Sequence, residues 1–331
     1  MRVDVMKERT RQQVNTFVLT MVCLLSASCN FSSSTSDNKS VGPPRSGTPR
    51  PEALPQECPV PTEVPKALRF GATPYAGPEV LKEQFEPIVN YLSESLERPV
   101  QLVPTDSYGA LLDQLERGEV DLVSLSPLTY VRAKERMPCL QQMVMQVTNG
   151  STYYSSHIVV RQDAPLASMK DLKGKRMAFV SKDSTSGYLF PVAYLQENGI
   201  DVENYFGEVV FAGDHLRAID MLLAGEVDAT ATFSNIFSPA RADGIDVGAL
   251  RVLAITGRIP YDAVCARPGL DRKLVEEVAL HLFHLNSTTA EGRANLRKVV
   301  VDINGWIYTR DSEYDSVRIN QRRVNAAEGS L

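Results

Sequence analysis

Short apolar runs alternate along the chain with longer runs in which apolar residues recur every three or four positions. The first pattern predicts buried strands and the second predicts amphipathic helices. In the first half of the chain, the predicted strands are 68–72, 100–103 and 121–125, and the predicted helices are 78–96, 108–116 and 128–136. Strands that alternate with helices indicate parallel sheets covered by helices, the α/β class.

The same alternation returns after residue 175. The predicted strands are 176–180, 209–211 and 229–231, the helices are 186–198 and 216–223, and further extended segments are 140–147, 156–160, 250–255 and 263–267, with helices at 273–285 and 290–299. The chain then passes between the halves twice. We therefore predict a clamshell of two α/β lobes joined by a two-strand hinge, with lobe I formed by 67–160 and 256–331 and lobe II by 161–255.

One phrase, Leu-x-x-Gly-Glu-Val-Asp, occurs twice, at 115–121 and at 222–228. Each copy ends an amphipathic run and leads into a short strand and a polar turn. The spacing is too long for a solenoid repeat and suits one domain of a pair. Ligands of open parallel sheets gather beyond the carboxyl ends of the strands, so the loops 124–129 and 232–238 are the first places to look for a site.

The N-terminus has the pattern of an export signal. Four basic residues precede the apolar run 17–25, which is too short to span a bilayer, so we predict a signal peptide over 1–28. Small residues before Cys29 resemble a lipobox, which predicts acylation of Cys29, although Ser26 stands where Leu is preferred. Plain secretion or cleavage elsewhere is the alternative. The segment 29–66 is rich in Ser, Thr, Pro and Gly and predicts a flexible tether.

Charge and cysteine content narrow the possible partners. The formal net charge is −5, and it becomes more negative once the basic leader is removed, which argues against a nucleic-acid partner. The spacing of the cysteines beyond residue 29 matches no zinc site, and we predict no metal and no cofactor. Export allows one disulfide among Cys58, Cys139 and Cys265. A Cys58–Cys139 bond would fasten the end of the tether to lobe I, and free buried thiols are the alternative.

The strongest local motif is Ser184-Thr185-Ser186-Gly187, which follows a predicted strand and opens a predicted helix. The first N–H groups of a helix have no partner within the helix, and the helix dipole favours an anion there. Three hydroxyls at the same end can donate to a tetrahedral anion, and Gly187 allows the backbone to approach it closely. The alternative is an ordinary helix cap, for which one hydroxyl suffices.

These motifs, taken in order, resemble the phosphonate, phosphite and phosphate binding proteins of bacterial ABC importers, which have the type II periplasmic-binding-protein fold. The resemblance covers roughly 68–317. The resemblance rests on the following residues and motifs: Phe70-Gly71, Tyr108, Gly-Glu-Val-Asp followed by Ser-Pro-Leu-Thr-Tyr at 126–130, Ser-Thr-Ser-Gly, His215, Ile-Pro-Tyr-Asp at 259–262, and Asp-Ser-Glu-Tyr-Asp at 311–315.

The resemblance implies roles for individual residues. Ser184, Thr185 and Ser186 would hold the oxyanion, and Tyr108 and Thr129 would donate from lobe I. His215 would complete the site as an imidazolium or N–H donor, with a cap or surface histidine as the alternative. Asp262 would accept a proton-bearing oxygen or an amine, and the alternative is that it fixes a turn.

The ligand class follows from one departure. Family members that bind aminophosphonates carry a carboxylate where this chain has Asn235, so binding of an amine is doubtful. We expect phosphate or phosphite ahead of a large phosphonate. Tyr75, Tyr153, Tyr154 and His157 could line the cleft or serve as hinge and core residues.

We therefore predict a non-catalytic, monomeric receptor in the periplasm or cell envelope. It would touch the membrane only through its lipid anchor and deliver its oxyanion to an ABC permease. One alternative is a sensor subunit for a membrane signalling partner. A more distant alternative is an exported phosphoesterase, although the chain has no Gly-x-Ser-x-Gly elbow and no clustered metal ligands.

Overall fold

The predicted alternation of strands and helices is present in both halves of the chain. A computed structural model describes residues 50–297 and 303–328. The strands are β1 Leu68–Ala72, β2 Val100–Leu102, β3 Leu122–Leu125, β4 Gln141–Thr148, β5 Tyr153–Arg161, β6 Arg176–Phe179, β7 Glu208–Phe211, β8 Ala229–Phe233, β9 Leu250–Pro260, β10 Ala263–Ala266 and β11 Ile303–Tyr308. The α-helices are α1 Pro78–Ser95, α2 Tyr108–Glu116, α3 Pro127–Arg136, α4 Phe190–Glu197, α5 Val202–Tyr205, α6 His215–Leu223, α7 Phe237–Ala242, α8 Arg272–His284, α9 Ala290–Leu296 and α10 Asp315–Glu328.

Two sheets organise these elements. Sheet I has the order β11-β4-β10-β3-β1-β2, and sheet II has the order β7-β6-β8-β5-β9. In sheet I, β1 pairs in parallel with β2 and β3, and in sheet II, β6 pairs in parallel with β7 and β8. The parallel strands expected from the repeat are thus present, in the same order, in both sheets. Antiparallel strands extend each of them.

Strand pairing shows where the chain passes between the sheets. Both β5 and β9 belong to sheet II, where they pair with each other over most of their length. The segments 153–160 and 256–260, which the sequence analysis assigned to lobe I, therefore lie in the second sheet. The passages between the sheets fall in the turn 149–152 and at 261–262. The described residues of both sheets belong to one compact unit.

The repeated phrase forms the same clamp twice. The Asp121 carboxylate accepts from the backbone N–H of Arg69 at 2.9 Å and from its guanidinium at 2.9 and 3.0 Å. The Asp228 carboxylate accepts from the backbone N–H of Arg176 at 2.9 Å and from its guanidinium at 3.2 and 3.1 Å. Each clamp closes over 52 positions. The first ties β1 to the start of β3, and the second ties β6 to the start of β8.

The clamps differ in burial and in the number of partners. The Asp121 side chain is fully buried and also accepts from Nε of Arg267 at 2.9 Å. The Asp228 side chain is 22% exposed, and Arg176 is the only cation within ion-pair distance of it among the described residues. The first copy is therefore the more tightly paired half of the scaffold.

The described part of the predicted tether is attached to the body of the protein. Cys58 and Cys139 form a disulfide, which confirms the predicted pairing of these two cysteines. Cys265 is a buried free thiol. Glu63 forms an ion pair with Arg267, and its backbone forms hydrogen bonds with that of 269–271. The prediction of a flexible tether is therefore wrong for 50–66, because sequence composition does not reveal these long-range contacts. Cys29, the signal peptide and 29–49 lie outside the described residues.

No helix within 50–297 or 303–328 is both long enough and apolar enough to cross a membrane.

Candidate functional site

Two equivalent helix starts face each other across a cavity. Helix α2 begins at Tyr108 after the cap Ser107, whose hydroxyl accepts from Ala110 N at 3.1 Å. Helix α6 begins at His215 after the cap Asp214, whose carboxylate accepts from Arg217 N at 2.9 Å. Tyr108 and His215 hold the same place in the two repeats, and both line the cavity. The duplication thus supplies one side chain to the cavity from a helix of each sheet.

The segment 184–186 leads into a π-helical turn, Thr185–Leu189, before α4 begins at Phe190. We predicted a single helix over 186–198. Ser184 is the cap, and its hydroxyl accepts from Gly187 N at 3.0 Å. The capping reading is therefore correct for Ser184, and the residue also lines the cavity. π-Helical turns are uncommon and occur frequently at functional sites.

Packing within the protein explains why residue 187 is a glycine, which the sequence did not reveal. A Cβ placed on it would lie 2.5 Å from Cβ of Val180, at the end of β6. Real Cβ atoms do not approach so closely, so this glycine lets the turn pack on the strand. The prediction that it serves close approach to a ligand is not needed to explain it.

The cavity is small. Its volume is about 80 Å³, far below the roughly 300–1,000 Å³ of sites for drug-sized ligands and well above the roughly 10–15 Å³ that one water needs. Its lining includes seven of the eight predicted ligand-binding residues, namely Tyr108, Ser184, Thr185, Ser186, His215, Asn235 and Asp262. The long-range fold therefore brings these residues together from both sheets.

Thr129 is the exception. It is buried and is not among the residues that line the cavity. Its hydroxyl lies 2.8 Å from Oγ of Ser126, which does line it. Thr129 is therefore in contact with the site through Ser126.

His215 is neutral in this environment. Burial lowers its pKa to about 3, so the imidazolium considered from the sequence does not form at neutral pH. Its Nδ1 lies 2.8 Å from the hydroxyl of Thr232, and its Nε2 lies 3.4 Å from Oγ of Ser184. If the Thr232 hydroxyl donates to Nδ1, Nε2 carries the hydrogen and His215 is an N–H donor facing the site.

Asp262 is the one carboxylate in the lining. Burial raises its pKa to about 7. No side-chain hydrogen bond or ion pair to this carboxylate occurs among the described residues. A carboxyl group in this state can hold a proton near neutral pH or accept one from a ligand oxygen.

Tyrosines form much of the remaining wall. Tyr154 and Tyr261 are stacked with ring centroids 4.9 Å apart, and Asn235 Nδ2 donates to the Tyr261 hydroxyl at 2.7 Å. The Tyr75 hydroxyl is buried and has no hydrogen-bond partner among the described residues. A buried donor without a partner is costly. Tyr75 is thus placed to donate into the cavity.

Several lining residues were not named individually as ligand-binding residues. They are Thr73, Gln84, Phe85, Ser126, Gln146, Phe233 and Tyr261. Ser126 and Phe233 lie in the loops 124–129 and 232–238 that the sequence indicated, and Tyr261 lies in the motif at 259–262. Gln84 lies on α1 and Gln146 on β4, where no local pattern distinguishes them. Tyr153 and His157, which we considered, are not part of the lining.

The charge of the lining is unusual for an anion site. It contains no Lys and no Arg, and no group of three or more potential metal ligands occurs in the described part of the chain. Hydroxyl groups, amides and one imidazole are the available donors, and Asp262 is the available acceptor for a proton. This arrangement can bind a small oxyanion that shares a proton with the carboxylate.

Comparison with known proteins agrees with this chemistry. A family model described as "ABC transporter, phosphonate, periplasmic substrate-binding protein" matches residues 70–314. The chain is 24% identical to the phosphate-import protein PhnD of Mycolicibacterium smegmatis over 271 residues, which cover 77% of this chain and 84% of that protein. It is 29% identical to a probable phosphite-binding protein of an ABC transporter, PhnD1 of Prochlorococcus marinus, over 174 residues that cover 50% and 58% of the two chains.

A solved structure supports the fold. The structure of Prochlorococcus marinus PhnD1 in complex with methylphosphonate has a TM-score of 0.70 and 23% identity, covering 78% of this chain and 98% of that one. This likeness confirms the predicted type II periplasmic-binding-protein fold.

Proposed function

This chain belongs to the family of periplasmic substrate-binding proteins of phosphonate ABC transporters, and on that premise we propose that its cavity captures a small phosphorus oxyanion. Phosphate, phosphite and small phosphonates are the candidate ligands. One relative is a phosphate-import protein, another is a probable phosphite-binding protein, and the similar solved structure is a complex with methylphosphonate. Those relatives are binding proteins rather than enzymes, and we infer no catalytic step.

One observation carries the proposal: the hydroxyl-bearing segment 184–186 and the Asp262 carboxylate line the same cavity of about 80 Å³. The hydroxyls of Ser184, Thr185 and Ser186 donate to oxygens of the anion. His215 adds an N–H, and the hydroxyls of Tyr108 and Tyr75 add further donors. Thr129 acts by orienting Ser126.

Asp262 selects the protonation state of the ligand. Loss of solvent around this partly buried carboxylate raises its pKa, and placing a fully ionised anion beside an ionised carboxylate is unfavourable. One proton shared between the carboxylate and a ligand oxygen removes this repulsion and adds a charge-assisted hydrogen bond. We therefore expect affinity to fall as the pH rises from about 6 to about 9, through the range where this proton is lost.

Asn235 supports a preference against amines. Its Nδ2 donates to the Tyr261 hydroxyl at 2.7 Å, so the amide is engaged with the wall of the cavity and carries no negative charge for an ammonium group. The small volume also favours phosphate, phosphite or methylphosphonate over a longer aminophosphonate.

The cellular context completes the proposal. We infer that the chain is exported, that acylated Cys29 anchors it to the membrane, and that two lobes built on sheets I and II close over the anion as a monomer. The closed form presents its ligand to an ABC permease, as the family membership implies.

Titration calorimetry of the protein lacking residues 1–28 tests the proposal. Phosphate, phosphite, methylphosphonate and 2-aminoethylphosphonate are compared at pH 6, 7.5 and 9. We expect one of the first three to bind best, with affinity highest at the lowest pH. No binding by any of the four, or tightest binding of the aminophosphonate, contradicts the proposed ligand class.

A further inference from the structure

Helix α3, which follows β3 of sheet I, is in direct contact with the loop after β6 of sheet II. Leu128 N, in the first turn of α3, donates to Oγ1 of Thr185 at 2.8 Å. One turn later, the Arg132 guanidinium forms an ion pair with the Asp183 carboxylate and donates to the Lys182 carbonyl at 3.5 Å. The N-terminal turn of α3 thus makes one contact through its backbone, and the next turn makes the other through a side chain.

These contacts link parts of the two sheets that a ligand must separate in order to leave. Helix α3 follows β3 of sheet I, and the loop 180–184 follows β6 of sheet II. The loop leads directly into the hydroxyl-bearing segment 184–186. Because the cavity is lined from both sides, opening it breaks the Leu128–Thr185 bond and the Arg132–Asp183 pair together.

The burial of the ion pair gives it moderate strength. The Arg132 side chain is 32% exposed and the Asp183 side chain is 35% exposed. Such a pair is weaker than a buried one, yet it stabilises the closed arrangement and no other. Its contribution therefore appears in the rate at which the sheets separate.

We propose that Arg132 and Asp183 form a latch that stabilises the closed arrangement and slows release of the ligand. The proposal rests on the proposed function for the identity of the ligand. Arg132 and Asp183 act here as positioning residues, since neither lines the cavity. The Leu128–Thr185 bond is the second half of the latch and joins it to the site.

A competing electrostatic explanation makes the opposite prediction for one variant. If the two side chains acted only through their charges on a bound anion, Arg132→Gln would weaken binding and Asp183→Asn would strengthen it. The effects would then add in the double variant. A latch requires both single variants to weaken binding, and the double variant to resemble either single one, because the same contact is lost each time.

Stopped-flow measurement of phosphite release from the protein lacking residues 1–28 separates these cases. We expect Arg132→Gln, Asp183→Asn and the double variant each to release phosphite roughly two to five times faster, with little change in association rate. Added salt should narrow the difference, because it screens the pair in the unsubstituted protein. Slower release from Asp183→Asn, or additive effects, overturns the latch.

Arg136→Gln is the matched control. Arg136 lies one turn further along α3 with 37% of its side chain exposed, and it pairs with Asp113 and Glu116 of α2, the helix that precedes β3 of the same sheet. Its loss removes an arginine from the same helix without touching the latch. We expect release from this variant to be unchanged, and a change as large as that of Arg132→Gln overturns the proposal.

Small-angle scattering without added ligand tests the latch independently of ligand identity. We expect a larger radius of gyration for Arg132→Gln than for Arg136→Gln, because the first variant opens more often. Equal radii count against the latch. If phosphite and the other oxyanions fail to bind the unsubstituted protein, the proposed function fails, while the scattering comparison still decides the latch.

Discussion

Two aspartates of this protein, Asp121 and Asp262, differ in whether their carboxylates have partners. Asp121, in the clamp of the first repeat, is fully buried and accepts from Arg69 and Arg267. Asp262, in the cavity, has no side-chain hydrogen bond or ion pair among the described residues, and it faces a lining without Lys or Arg. The first carboxylate is satisfied by the fold, and the second is left for a ligand.

The pKa values differ accordingly. Burial alone would raise the pKa of Asp121, but hydrogen bonds from Arg69 and Arg267 outweigh burial and lower it. Burial raises the pKa of Asp262 to about 7. The clamp therefore stabilises the fold above the ordinary aspartate pKa and loses this contribution as the pH falls. The cavity carboxylate costs stability as the pH rises from about 4 to about 7, because the unfolded chain ionises more easily.

The largest effect is expected at the clamp. Asp121→Asn leaves Arg69 and Arg267 without their shared counter-ion and should lower the free energy of unfolding by about 3–5 kcal/mol at pH 7. Urea unfolding measures it, and the deficit should shrink below about pH 4 as the unsubstituted carboxylate becomes protonated. A loss below about 1 kcal/mol would show that the pair contributes no more than a surface ion pair.

Asp262→Asn should have the opposite sign. Removing a partly buried carboxylate that has no partner should raise the free energy of unfolding of the unliganded protein by up to about 4 kcal/mol at pH 8, with little gain at pH 4. Chemical denaturation across this pH range checks it. A destabilising effect at pH 8 would mean that the carboxylate already has a partner, and the comparison with Asp121 would fail.

Thr185→Ala should weaken ligand binding, and it should also lower stability, because the buried Leu128 N loses its acceptor. The hydroxyl lines the cavity and also accepts from Leu128 N, so its loss should weaken oxyanion binding by about 1–3 kcal/mol. Thr185→Ser keeps the hydroxyl and is the control. Calorimetry decides it, and unchanged affinity in the alanine variant would place the anion elsewhere.

The second clamp should show the smallest effect. Asp228 is partly exposed and pairs with Arg176 alone among the described cations, so Asp228→Asn should cost about 1 kcal/mol of stability. Neither clamp variant should change ligand affinity in its folded form. If Asp228→Asn costs as much as Asp121→Asn, burial and Arg267 do not account for the difference between the two copies.

Local patterns were sufficient wherever the interaction is short in sequence. The alternation of apolar runs predicted the parallel strands around β1 and β6, and the hydroxyls at 184–186 predicted a helix start that faces a cavity. Composition could not predict that 50–66 is attached, because Glu63 meets Arg267 across 204 positions. The π-helical turn after Ser184 was not predicted, because no local pattern in the sequence distinguishes it from an α-helical turn.

The sequence by itself determined the repeat, the class of fold and seven of the residues around the cavity. These follow from side-chain periodicity, turn chemistry and the position of motifs at the ends of strands. Tertiary structure alone decided which aspartate is paired, since Arg267 reaches Asp121 from 146 positions away. It also decided that β5 and β9 join sheet II, and that Tyr75, Gln84 and Gln146 meet the predicted residues, because such contacts depend on how distant segments pack.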